Sequence, residues 1–96
     1  MNSKWTFLTN HAHVMLCLAR GRGMRMRDIA LEVGITERAV QLIIADLEEA
    51  GYIERTKDGR CNSYTVHGEL KLRHTIEQHK TISDVIKLIY GEDKDS

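Results

Sequence analysis

Ninety-six residues, 42% of them hydrophobic, support one small domain with one modest core. Lys and Arg total 14 against 14 Asp and Glu, so the formal net charge is zero. That balance excludes an indiscriminate polycationic binder, although it hides how charge is distributed. The longest unbroken apolar run, Val14 to Ala19, falls far short of the roughly 20 residues that span a bilayer. Aromatic residues make up only 5% and proline is absent, which predicts a mainly helical chain with an aliphatic core.

Charge is segregated along the chain. Arg20, Arg22, Arg25 and Arg27 form one basic cluster, and Arg55, Lys57 and Arg60 a second. Asp46, Glu48, Glu49 and Glu54 form an acidic stretch, and Glu92, Asp93 and Asp95 an acidic tail. This pattern is expected where one face meets phosphate and another meets water or protein. Cys17 and Cys61 lie far apart and in no metal-type spacing, which argues against a disulfide scaffold. The segment Met1-Asn2-Ser3-Lys4-Trp5 has no apolar signal-peptide region, and a reducing cytoplasm is the expected compartment.

A first helix is predicted from Thr9 or Asn10, both good N-caps, with an apolar face of Leu8, Val14, Met15, Cys17 and Leu18. Arg20 fits its last turn and Gly21 the glycine that ends it. A second helix is predicted over residues 27–33, with Arg25-Met26 as an extended lead-in. Asp28 falls in its first turn, and Ile29, Ala30 and Val33 on its buried side. Gly34-Ile35 forms the turn, because glycine tolerates the left-handed backbone that ends a helix sharply. A third helix begins after Thr36 as N-cap, with Val40, Ile43, Ile44 and Leu47 at i, i+3, i+4, i+7. Gly51 suits its end, with Leu47 and Tyr52 supplying the accompanying apolar contact.

Two strands follow, residues 53–57 and 60–66, around the turn signal Asp58-Gly59. That turn would pair Ile53 with Tyr64, Arg55 with Asn62 and Lys57 with Arg60. Directly opposed cations such as Lys57 and Arg60 cost a little stability, which a phosphate between them would reverse. Residues 70–80 read as an irregular arm ending in a short helical turn. A last helix starts near Thr81, where Thr81 and Asp84 form a capping box with Asp in place of Glu. Ile82, Val85, Ile86 and Ile89 make its stripe and Gly91 its end. That stripe either caps its own domain or pairs with a second copy. With Leu16, Leu88 and Trp5 as spare apolar surface, a homodimer is expected.

The ordered series Ile29-Ala30, Val33-Gly34-Ile35-Thr36, Ala39-Val40, Leu47, Gly51-Tyr52-Ile53 and Asp58-Gly59-Arg60 resembles the winged helix-turn-helix transcription regulators of the MarR-like and ArsR-like kind. It covers residues 25–67. The resemblance implies a single winged-helix domain over residues 1–96, mainly α with a small β-hairpin wing. Its parts are a helix-turn-helix at about 27–50, a wing at about 52–67 and a C-terminal helix at about 81–90. It further implies sequence-specific binding of double-stranded DNA by a transcription regulator, expected to be a repressor.

By the same resemblance Thr36, Glu37, Arg38 and Gln41 lie at the groove-facing start of the recognition helix. Arg can grip guanine and Gln adenine, each through two hydrogen bonds. Thr36 and the amides around it suit a phosphate. Arg25 in the loop and Arg55, Lys57, Arg60 and Asn62 in the wing would meet backbone or minor groove. The chain departs from the pattern at Leu42, where many such helices carry a polar residue, and in the acidic later turns at Asp46, Glu48 and Glu49. It also has little room for long dimerisation helices or an effector pocket.

His11 and His13 stand at i, i+2, which point apart on a helix, and His67, His74 and His79 have no partners at metal-ligand spacing. They read as structural or solvated residues, and no cofactor or metal is expected. Cys17 reads as a core thiol, and Cys61, on the wing beside Arg60, as the more exposed one and the one open to redox sensing. No nucleophile–base pair or phosphate loop suggests an enzyme. The rival reading is a winged-helix protein-interaction module, favoured by neutral net charge, Leu42 and the acidic end of the third helix.

Overall fold

A computed structural model describes residues 5–20, 25–58 and 61–91. Its elements are α1 (Asn10–Arg20), α2 (Met26–Val33), α3 (Glu37–Glu49), β1 (Ile53–Asp58), β2 (Cys61–Val66) and α4 (Ile82–Tyr90). The core is aliphatic, as the composition requires. Val14, Ile29 and Val40 are its most completely enclosed side chains, one from each of the first three helices. Ile43, Ile44 and Leu47 extend the α3 stripe into it, and Ile53 and Ile82 close it from the wing and from α4.

Local chemistry sets the helix ends. The Thr9 hydroxyl accepts from the Ala12 amide at 3.1 Å and starts α1. Met26 is already helical, so α2 begins a residue earlier than the sequence suggests. The Arg25 amide donates to the Asp28 carboxylate at 3.1 Å, which draws Met26 into the first turn. Gly34, at φ 86°, then turns the chain in the left-handed conformation. The Thr36 hydroxyl accepts from the Ala39 amide at 3.0 Å and opens α3.

At the other end of α3 the Tyr52 amide donates to the Leu47 carbonyl at 2.9 Å, and the Gly51 amide to that of Glu48 at 3.0 Å. This double closure reverses the chain into β1. Thr81 and Asp84 form the expected reciprocal cap on α4. Hydrogen bonding from the Thr81 amide holds the Asp84 carboxyl below the usual carboxylate range.

The wing is antiparallel, but its register differs from the sequence expectation. Ile53 faces Val66, Arg55 faces Tyr64, Lys57 faces Asn62, and Asp58 faces Cys61. The pairing is shifted by two residues, an even step that keeps Ile53, Tyr64 and Val66 on one face. The shift sets two apolar residues, Ile53 and Val66, opposite each other at the base of the hairpin, where both pack on the core. It also removes the expected opposition of Lys57 and Arg60. Gly59 and Arg60 lie outside the described residues, as does Gly21.

The arm returns across the body of the domain. The Tyr52 hydroxyl donates to the Lys71 carbonyl at 2.8 Å, and a bridge joins Lys71 to Thr81. The stripe on α4 faces its own domain. Ile82 is buried, and Val85 and Ile86 pack on the core, while Ile89 is half exposed. The Tyr90 hydroxyl donates to the Leu16 carbonyl at 2.9 Å and docks the end of α4 on α1. Leu16 is 6% exposed and belongs to the core, not to spare surface, because α1 is covered on several sides at once. Leu88 and Trp5 do lie open to solvent. No helix among the described residues is long and apolar enough to cross a membrane.

Candidate nucleic-acid interface

A helix packed on one side presents the other. Val40, Ile43, Ile44 and Leu47 turn α3 into the core, so the residues between them face outward. Arg38, Gln41, Leu42 and Ala45 recur at i, i+3, i+4 and i+7 and are all exposed. Leu42 is 55% exposed, so it is not a second core contact. The outward stripe therefore combines a guanidinium and an amide with two apolar side chains.

The start of this stripe carries the positive end of the helix dipole. The Thr36 hydroxyl and carbonyl take the amides of Ala39 and Val40. The amides of Glu37 and Arg38 have no hydrogen-bond partner among the described residues. Thr36, Glu37, Arg38 and Gln41 are all exposed there. The chain thus brings four of the expected residues together on one helix tip. Thr36 has a capping duty that its hydroxyl proton does not share.

The other expected residues divide. Arg25 is exposed just before α2. Arg55 turns back toward α3, its Nε 3.4 Å from the Glu48 carboxylate. Lys57 and Asn62 face each other on the hairpin's backbone ladder, and Arg60 falls outside the described residues. Arg20, from the basic cluster, is already engaged. It reaches Glu32 at 2.7 Å and lies 5.8 Å from the centre of the Tyr90 ring. It holds α1, α2 and α4 together.

The acidic end of α3 also changes meaning once folded. Asp46 pairs with His11 at 2.8 Å, and Glu48 with Arg55. Two of the three carboxylates are thus tied to α1 and to the wing. Among the described residues no three His, Cys, Asp or Glu side chains gather as a metal site. Burial pushes the Cys17 thiol up, with the Glu32 carboxylate adding to the effect, so it remains a protonated core residue. In the sequence Leu42 reads as a departure and Ala45 carries no assignment; their spacing from Arg38 and Gln41 is the signal that places both on this face.

No curated protein matches the chain in sequence. Among solved structures, "T. potens IscR" is similar, with a TM-score of 0.57 and 16% identity over 96% of this chain and 92% of that one. At that identity the likeness establishes the fold, a winged helix. The MarR family model matches residues 9–60, more than half of the chain, from the cap of α1 through β1. The chain belongs to the MarR family of DNA-binding transcription regulators.

Proposed function

We propose that this regulator reads a specific double-stranded DNA site, as a homodimer on a roughly palindromic sequence, and acts as a repressor. The observation that carries the reading is the exposed stripe Arg38, Gln41, Leu42 and Ala45 on the face of α3 opposite the core stripe. Such a helix enters the major groove by its N-terminal part. There Arg38 would grip guanine and Gln41 adenine, while Leu42 and Ala45 suit the thymine methyl group. Thr36 and the free amides of Glu37 and Arg38 suit a phosphate. Glu37 can accept from cytosine N4.

Arg25 and the wing residues Arg55, Lys57, Arg60 and Asn62 would supply backbone contacts that set affinity without specifying sequence. For Arg55 this requires release from Glu48, a pair weak enough at the surface to exchange. The dimer reading rests on Leu88, which is 75% exposed on α4, with Ile89 beside it. The fold belongs to a regulator family and leaves these side chains without a partner among the described residues.

The test is binding of labelled DNA from the region upstream of the protein's own coding sequence, with random duplex as competitor, at two salt concentrations. Preference for the upstream duplex, with affinity falling as salt rises, is the expected result. Equal weak binding to both duplexes would remove sequence-specific readout. No binding even at low salt would favour a protein-interaction module instead.

A further inference from the structure

A groove of about 900 Å³ lies at the far end of α3 from the DNA-reading tip, between the start of α1, the last turn of α3, the arm and α4. Asp46 is nine residues beyond Glu37, which places the groove about 14 Å along the helix axis from that tip. Its volume is in the range of small-molecule sites, which span roughly 300–1,000 Å³. Its floor is apolar, with Ala12 and Met15 from α1, Leu47 from α3, Leu72 from the arm and Val85 from α4. Two aromatic rings border it. Tyr52 is fixed by its hydrogen bond to the Lys71 carbonyl, and Phe7 is paired edge-to-face with Trp5 at 4.9 Å.

The rim is unevenly charged. Asp46, Glu49 and Glu77 line it together with Arg73 and His11, and His11 is already paired with Asp46. Glu49 and Glu77 have no ion-pair partner among the described residues. The rim is therefore net negative whichever form His11 takes. An apolar body would remove the floor from water, and a positive charge would be attracted by the carboxylates of Glu49 and Glu77 and by the bordering rings of Phe7 and Tyr52.

We propose that this groove binds a lipophilic organic cation. Shape and apolar area alone would admit a neutral or anionic molecule equally well. The carboxylates and rings discriminate by charge, since an anion of the same form would meet repulsion at the same rim. The proposal concerns the protein without DNA and stands whether or not α3 reads a sequence.

The experiment is calorimetric titration of the full chain with tetraphenylphosphonium and, separately, with tetraphenylborate in sodium buffer. The two ions share size and shape and differ in sign. The expected result is binding of the phosphonium with a Kd on the order of 10 µM, and of the borate at least about tenfold more weakly. The double variant Glu49→Gln with Glu77→Gln should lose about tenfold in affinity for the phosphonium. Both residues are exposed and lie outside the core, so the fold is kept. Equal affinity for the two ions, or no heat with either, would overturn the proposal. Phosphonium binding unchanged in the double variant would overturn it too, by placing the ion elsewhere on the surface.

Discussion

At the N-terminal end of α3, Arg38 and Gln41 project with no ion-pair or side-chain hydrogen-bond partner among the described residues. At the C-terminal end, Asp46 reaches His11 on α1 and Glu48 reaches Arg55 on the wing. One helix thus carries two regions with opposite uses of charge. The tip leaves its cation and amide available, on the end whose dipole attracts an anion. The far end places acids where the dipole disfavours them and offsets this with partners from neighbouring elements, His11 and Arg55. The difference shows that net charge does not describe what the tip presents. Three of the 14 acids, Asp46, Glu48 and Glu49, sit at the opposite end of α3 from the tip.

The comparison breaks completely if both ends lose their common support. Ile44 is 3% exposed at the middle of the buried stripe. Ile44→Ala should cost about 2–5 kcal/mol of unfolding free energy through lost burial and the cavity left behind. Denaturant unfolding measures this. A loss below about 1 kcal/mol would mean that α3 does not pack by this stripe.

Next in size is Arg38→Ala, which should cost about 1–3 kcal/mol on the preferred DNA site and relax discrimination there, with stability unchanged. Competition binding on single-base variants of the site separates the outcomes. Equal weakening on every sequence would make Arg38 a backbone contact.

Thr36→Ala affects the tip through structure instead of contact. Loss of the hydrogen bond from the Ala39 amide should lower stability by about 1 kcal/mol. DNA affinity should fall as well, because the same residue orients the free amides of Glu37 and Arg38. A stability loss with DNA binding untouched would show that the helix start does not meet phosphate.

Much of this arrangement is legible in the sequence where the cause is local. Thr36 before α3, Gly51 after it, and the Thr81–Asp84 cap act within a few residues of themselves. The buried stripe of α3 also follows from a fixed helical period. Register escaped this kind of reasoning. Asp58-Gly59 is a favourable turn pair, but packing of Ile53 and Val66 at the hairpin base favours a closing pair of Asp58 and Cys61. Leu16 could not be assigned to the core, because its burial depends on how α1 is surrounded in three dimensions. The ion pairs of Asp46 and Glu48, and the groove behind them, require knowing which elements cross the end of α3. Leu42 was legible in principle, since its spacing from Arg38 and Ala45 puts it on the outward face.

The smallest effect belongs to the far end. His11 and Asp46 are about half exposed and more than half exposed respectively, so their 2.8 Å pair is largely solvated. Exposed ion pairs contribute about 0.2–1 kcal/mol and are weakened by salt. Asp46→Asn removes that attraction, but it also removes a negative charge from the helix C-terminus, where the dipole disfavours it. The two effects oppose each other. Thermal unfolding should therefore change by less than about 0.5 kcal/mol at low salt and by less again at high salt. Sequence preference in DNA binding should not move, because the substitution lies about 14 Å from the tip along the helix. A small uniform gain in affinity is expected, since one negative charge fewer lowers the repulsion of any duplex. If Asp46→Asn instead altered which base is preferred, the two ends of α3 would be coupled, and the division of labour between them would have to be abandoned.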